Sequence, residues 1–202
     1  MHQSFKPLNY LAHAYLSPSH PQIQIGNLWG DFIKSNQRNQ FSASIQQGIL
    51  LHRSIDRYTD QHPIVLEALT FFRPQFILSG GVFLDILFDH FLANDDRYFT
   101  DDSLKIFTTE VYTNLKQHEH LMNEKMVHFF HYMAEYNWLY HYRFKEGLER
   151  SIHGICKRYP RLGDSSEALR TIDKHFIPLE KLFRDFFPEQ QQYMQQQFPE
   201  HY

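Results

Sequence analysis

Val82–Leu92 reads VFLDILFDHFL, 11 almost continuously apolar residues that follow Gly80 and Gly81. By composition alone such a run suits a fully buried strand or a buried helix. Asp85 and Asp89 weigh the choice, because a spacing of four sets both carboxylates on one side of a helix. The segment is therefore predicted to be a helix buried on nearly every face. Its neighbours carry the same period. Ile45, Gly48, Ile49 and Ile55 line one arc of a helix over 42–60. Leu104, Phe107, Val111 and Leu115 make another, opened by Thr100 or Asp102 as its cap. Leu169, Ile172, Phe176, Leu179, Phe183 and Phe186 fall three and four apart in a third. Asp164 and Glu167 resemble a capping box at its start, and Pro178 predicts a kink or break at Ile177.

Convincing period-2 alternation appears nowhere. The chain is expected to be all-α, a compact multi-helix bundle with connections near 17–22, 36–41, 61–63, 73–81, 93–101 and 159–164. Neither a repeat nor a Gly/Ser linker divides the 202 residues, so one domain over 1–202 is expected, with a polar, Gln-rich tail from about 189. Glycine (8) and proline (9) are too sparse for a many-turned β-sandwich, while aromatics, at 16%, are plentiful.

One cysteine, Cys156, excludes an internal disulfide framework and a thiolate zinc site. The net charge of −3 gives no global attraction to nucleic acid or to an anionic membrane. No apolar run reaches the ~18 residues of a transmembrane helix. Met1–Leu8 lacks the basic start and apolar stretch of a signal peptide. A cytoplasmic protein that binds neither nucleic acid nor membrane is expected. Gly-rich phosphate loops, GxSxG, HExxH and the Glu-x-x-His of di-iron bundles are all missing. The distinctive count is 14 histidines beside 23 carboxylates.

Some of these sit on apolar faces. At about 100° per residue, His52 and Asp56 lie near the centre of the inner arc of helix 42–60, and Asp60 lies about 40° further on. A carboxylate there is costly unless it is paired, protonated or metal-bound. A His–Asp hydrogen bond, or a pair with Arg53 or Arg57, would satisfy it as well as a metal. Helix 82–92 repeats the problem with Asp85, Asp89 and His90. Two such helices together favour a cation between them, and oxygen with imidazole suits Mn²⁺, Mg²⁺, Fe²⁺ or Zn²⁺. In NYLAHAYL (9–16), His13 lies off the stripe of Leu8, Leu11, Ala12, Tyr15 and Leu16. In IGNLWGDFIK (25–34), Asp31 borders the stripe of Ile25, Leu28, Trp29 and Phe32. Position alone reads His13 as a surface or helix-contact histidine, and Asp31 as a solvated carboxylate at least as readily as a functional one.

The segments NYLAHAYLS, IGNLWGDFIK, GILLHRSIDRYTDQHPIV, LDILFDHFLA and KRYPRL stand in the order seen in acyl carrier protein phosphodiesterases, which the chain resembles. Asn-aromatic-Leu-Ala-His, Gly-Asn-Leu-x-x-Asp-Phe, Gly-x-x-x-His-Arg-x-Ile-Asp-x-x-Thr-Asp and Asp-His-Phe-Leu cover most of residues 9–93. The second half matches more loosely, through YNWLYHYR and RYPRL. That family is similar to the HD-type metal-dependent phosphohydrolases. The resemblance implies their helical fold, a divalent metal (usually Mn²⁺) and hydrolysis of the phosphodiester joining 4′-phosphopantetheine to a serine of holo-acyl carrier protein. By the same resemblance, His13 looks like the first histidine of the HD-type pattern and Asp31 like the aspartate of the HD pair. Gly30 stands where that pair has its histidine. His52 or Asp56 would then supply the absent ligand, with Asp89 as the late aspartate.

The implied metal set is thus His13, Asp31, His52, Asp56 and Asp89. Asp60 or Asp85 would serve as general base, while Arg53 or Lys34 would steady charge developing on the phosphate. Acyl carrier proteins are acidic, and Arg143, Lys145, Arg150, Lys157, Arg158 and Arg161 form a basic stretch opposed only by Glu146 and Glu149. That stretch is the expected docking surface, or else a solvated helix face. Two rival readings stand beside this one: a phosphohydrolase for a nucleotide or another phosphodiester, and a non-catalytic helical binding protein whose metal site has decayed.

Overall fold

The computed structural model describes residues 9–17 and 20–199. Leu8 and the leader reading of Met1–Leu8 lie outside them. The described residues contain helices and turns and no strand: α1 Tyr10–Tyr15, α2 Pro21–Trp29, α3 Ala43–Gln61, α4 Pro63–Thr70, α5 Gly80–Asn94, α6 Asp101–Gln117, α7 Glu124–Glu135, α8 Trp138–His141, α9 Lys145–Arg158 and α10 Ser165–Gln197. Short 3₁₀ turns follow α2 (Gly30–Phe32 and Ser35–Gln40), α6 and α9. No helix among the described residues is long and apolar enough to cross a membrane.

The helix over Val82–Leu92 is α5, and it runs through the centre. All its residues except Gly81, Asp85 and Asn94 are buried. Its faces meet α1, α4, α9 and α10. Phe83 and Leu87 are fully enclosed, each contributing roughly 1.5–3 kcal/mol by leaving water. One end of α1 depends on α5. Asn9, the cap residue of α1, makes no capping hydrogen bond with its side chain. Instead Asp89 reaches across, and its Oδ2 and Oδ1 accept the amides of Leu11 (2.8 Å) and Ala12 (2.9 Å). These amides are among the donors that a helix start leaves without partners.

The closest crossing is between α2 and α3. A Cβ on Gly26 would run into the carbonyl of Ile45, and one on Gly48 into that of Ile23. The two backbones touch there because neither residue has a side chain. The approach lays the end of α2, with the 3₁₀ turn that carries Asp31, against the middle of α3.

Two details of α10 differ from the expectation. The helix continues through Pro178, and its backbone yields at His175 (φ −115°, ψ 19°) rather than at Ile177. Proline lacks the N–H that the carbonyl of residue 174 would accept, and its ring crowds that carbonyl, so the distortion falls upstream. At the start, Asp164 caps through Ser166 N–H (2.7 Å), while Glu167 pairs with Arg170 instead of closing a capping box. Thr100 caps α6 by accepting from Ser103 N–H.

Candidate metal centre

α3 brings its two inward polar residues, His52 and Asp56, beneath α1. There they meet His13, which is only 2% exposed although its own helix pattern marks it as off the stripe. The His13 and His52 rings stack with centroids 4.3 Å apart. Asp56 bridges them, its Oδ1 lying 3.2 Å from His13 Nε2 and its Oδ2 3.2 Å from His52 Nε2. Asp31 approaches from the turn after α2, 3.6 Å from His52 Nε2. One ligand atom from each of His13, His52 and Asp56 falls within 4.8 Å of the others.

Hydrogen bonding leaves this cluster incomplete. His13 Nε2, Asp56 Oδ1 and His52 Nδ1 are buried without a hydrogen-bond partner. Such orphans are rare in protein interiors. The electrostatics agree. Burial works to lower the His52 pKa, but the carboxylates of Asp31 and Asp56 outweigh it and hold the ring up at about 9. Burial also opposes the Asp56 charge, yet His13 and His52 beside it hold that carboxyl far below the usual carboxylate range. Two carboxylates facing two imidazoles therefore demand positive charge. A proton or a divalent cation would satisfy the same donors. Imidazole nitrogen with carboxylate oxygen, and no thiolate, is a donor set that fits Mn²⁺, Fe²⁺ or Zn²⁺.

Residues 8–190 match the acyl carrier protein phosphodiesterase family. The chain belongs to that family. Among its relatives, the acyl carrier protein phosphodiesterase of Photorhabdus laumondii is 31% identical over 182 residues, covering 90% of this chain and 92% of its own. The corresponding protein of Yersinia enterocolitica is also 31% identical, over 90% of this chain and 94% of its own. That of Klebsiella pneumoniae is 31% identical over 183 residues, again 90% of this chain and 95% of its own. No solved structure matches the chain.

Family membership spans both the cluster and the residues that stand apart from it. Asp89 is enclosed at the start of α1, its two oxygens accepting the amides of Leu11 and Ala12. The structure gives it the task of a cap, outside the His13–His52–Asp56 group. Asp60 is exposed one turn beyond Asp56, and partial burial together with the Asp56 charge raises its pKa. Asp85 is half-buried on α5, one turn before Asp89. Arg53 is half-buried on α3 beside His52, and Lys34 is exposed two residues past the turn that carries Asp31.

The basic stretch divides. Arg143 is half-buried, donating to the carbonyl of Ala93 (3.0 Å) and pairing with Asp101 (3.4 Å). Lys145 pairs with Asp173 at 3.1 Å. Arg143 is thus tied into the fold, while Lys145 is exposed within a surface ion pair. Arg150, Lys157, Arg158 and Arg161 are exposed and make no ion pair among the described residues.

Asn27 escaped the sequence reading, and Gly30 was read only as the place of a missing histidine. Asn27 is uncharged and lies on the face of α2 opposite the stripe of Ile25, Leu28, Trp29 and Phe32, where periodicity gives no reason to expect burial, yet it is fully buried. Gly30 lies against the His52 ring, which a Cβ would strike. The one signal for both was the Gly-Asn-Leu-x-x-Asp motif that contains Asn27.

Proposed function

We propose that this chain is a metal-dependent phosphodiesterase that releases 4′-phosphopantetheine from holo-acyl carrier protein, leaving the apo-protein. The relatives' shared name supports the substrate. The observation that carries the chemistry is the convergence of His13 Nε2, His52 Nε2 and Asp56 with buried atoms that have no hydrogen-bond partner. His13, His52 and Asp56 would hold the cation, Mn²⁺ foremost, with Asp31 and Asp89 the further candidates. A bound divalent cation stabilises charge on phosphoryl oxygens and acidifies a coordinated water.

The chain's own residues supply the rest. Hydrolysis breaks the bond between phosphorus and the serine oxygen, adds a water hydroxyl to phosphorus and returns a proton to that oxygen. Asp31 stands beside His52 at the rim of the cluster and is the carboxylate placed to hold the water's proton, with Asp60 and Asp85 as alternates. Arg53 and Lys34 carry positive charge on the flanking elements to meet the phosphate.

Docking would use the free cations at the end of α9. Tyr10, buried in α1, feels the charges of Asp31, Arg158 and Asp56 together. Arg150, Lys157, Arg158 and Arg161 form the surface we assign to the acidic carrier protein. A single reduced cysteine suits action in the cytoplasm. Incubation with holo-acyl carrier protein and Mn²⁺, followed by intact mass, should show loss of the phosphopantetheine mass from the carrier. An unchanged carrier mass would overturn the proposal.

A further inference from the structure

We infer that Asn27 is a positioning residue that locks the tautomer of His13 and thereby presents the Nε2 lone pair to the cluster, an inference that rests on the metal reading above. The hydrogen bonds around Asn27 leave one consistent arrangement. Ser17 Oγ donates to the His13 carbonyl (2.9 Å), so its lone pairs remain free to accept. Asn27 Nδ2 donates to that Ser17 Oγ (2.9 Å) and to the same His13 carbonyl (2.8 Å). Turning the amide over would set two carbonyl oxygens against each other. Asn27 Oδ1 therefore faces His13 Nδ1 at 2.7 Å, and Nδ1 must carry the hydrogen.

The consequence falls on the other nitrogen. In a neutral ring with Nδ1–H, Nε2 has only a lone pair, and it points at Asp56 Oδ1, 3.2 Å away. Two acceptors confront each other, both buried and neither hydrogen-bonded. A cation resolves that confrontation. The opposite tautomer would turn the lone pair of Nδ1 toward the amide oxygen and close Nε2 to a metal. Asn27 is fully buried and bonds to the backbone and ring of His13, so it acts through that residue. Outer partners of this kind fix the tautomer and orientation of ligating histidines, and their loss weakens metal affinity about 10–100-fold.

Two measurements on the full chain test this. Long-range ¹H–¹⁵N spectra of the metal-free protein, at a pH that leaves the ring neutral, should show His13 protonated at Nδ1 and bare at Nε2. A ring protonated at Nε2 overturns the inference whatever the variants do. In calorimetric titration with Mn²⁺, Asn27→Leu, which keeps the volume and loses the acceptor, should raise the dissociation constant about 10–100-fold with helix content unchanged. Ser17→Ala keeps the Oδ1–Nδ1 contact and should leave both tautomer and affinity close to wild type. Equal affinity in Asn27→Leu and wild type also overturns the positioning role. Should the wild-type protein take up no Mn²⁺ while His13 shows the expected tautomer, the tautomer lock stands and the metal reading falls.

Discussion

The imidazole of His52 fills the volume that a side chain at residue 30 would need. In the pattern that the sequence resembles, a histidine immediately precedes the aspartate corresponding to Asp31. Here that position has no side chain at all, and a histidine from α3 stands in the gap, 3.6 Å from Asp31. The arrangement supports His52 as the source of the imidazole that the local sequence lacks. The Gly26–Gly48 crossing makes it possible, because only touching backbones bring α3 this near to the turn after α2.

Gly30→Ala should therefore act on the site more than on the fold. Its methyl cannot share space with His52, so the ring must turn out of the cluster or the turn must shift. Overpacking of this kind costs about 1–3 kcal/mol. Urea denaturation should register that loss, and Mn²⁺ uptake and turnover should fall together. Full activity in the alanine variant would show that the ring has room to spare.

Asp31→Asn keeps the shape of the side chain and removes its charge. If Asp31 takes the water's proton, turnover should drop by about 10²–10⁴-fold while Mn²⁺ still binds. If Asp31 is itself a ligand, Mn²⁺ affinity should fall as well. Circular dichroism should remain that of the native helix bundle in either case. Unchanged turnover would remove Asp31 from the machinery.

The backbone was the more legible half of this protein. Helical period placed α3 within one residue of its observed ends and identified α5 as buried. It put His52 and Asp56 on the inner arc, where they are found. Periodicity failed where burial comes from several partners at once. α1 has six residues and is enclosed by α2, α3 and α5, so His13 is buried although it lies off the apolar stripe. Asn27 gave no signal of its own, because a neutral amide on the face opposite the apolar stripe resembles any solvated polar residue. Asp89 carries a second role that the sequence did not show. Its acidity on an apolar helix suggested a metal, and its two oxygens accept backbone amides of α1.

Asp89 should accordingly be a stability residue. Asp89→Ala leaves the amides of Leu11 and Ala12 buried without an acceptor, and each unmet donor costs about 1–3 kcal/mol. Asp89→Asn retains a single acceptor oxygen and should lose less. Equilibrium unfolding of the two variants should rank them in that order. A ranking in which the alanine variant matches wild type would mean that water or another group already serves those amides.

Charge reversal at Arg158 and Arg161 tests the docking surface. Both are exposed at the end of α9 and in the turn after it, and neither forms an ion pair among the described residues. Their charge is therefore available to a partner, unlike that of Arg143 and Lys145. Association steered by such charges weakens as salt rises, since fields are screened beyond about 8 Å at 0.15 M ionic strength. The Arg158→Glu/Arg161→Glu variant should raise KM for holo-acyl carrier protein several-fold and flatten its salt dependence. A small phosphodiester that never touches this surface should be hydrolysed at nearly the wild-type rate, because the His13–His52–Asp56 cluster is intact. Equal loss on both substrates would assign these arginines to the fold or the active site. If KM for the carrier protein does not move, the docking surface lies elsewhere, and Lys34, Arg38 and Arg57 become the next cations to reverse.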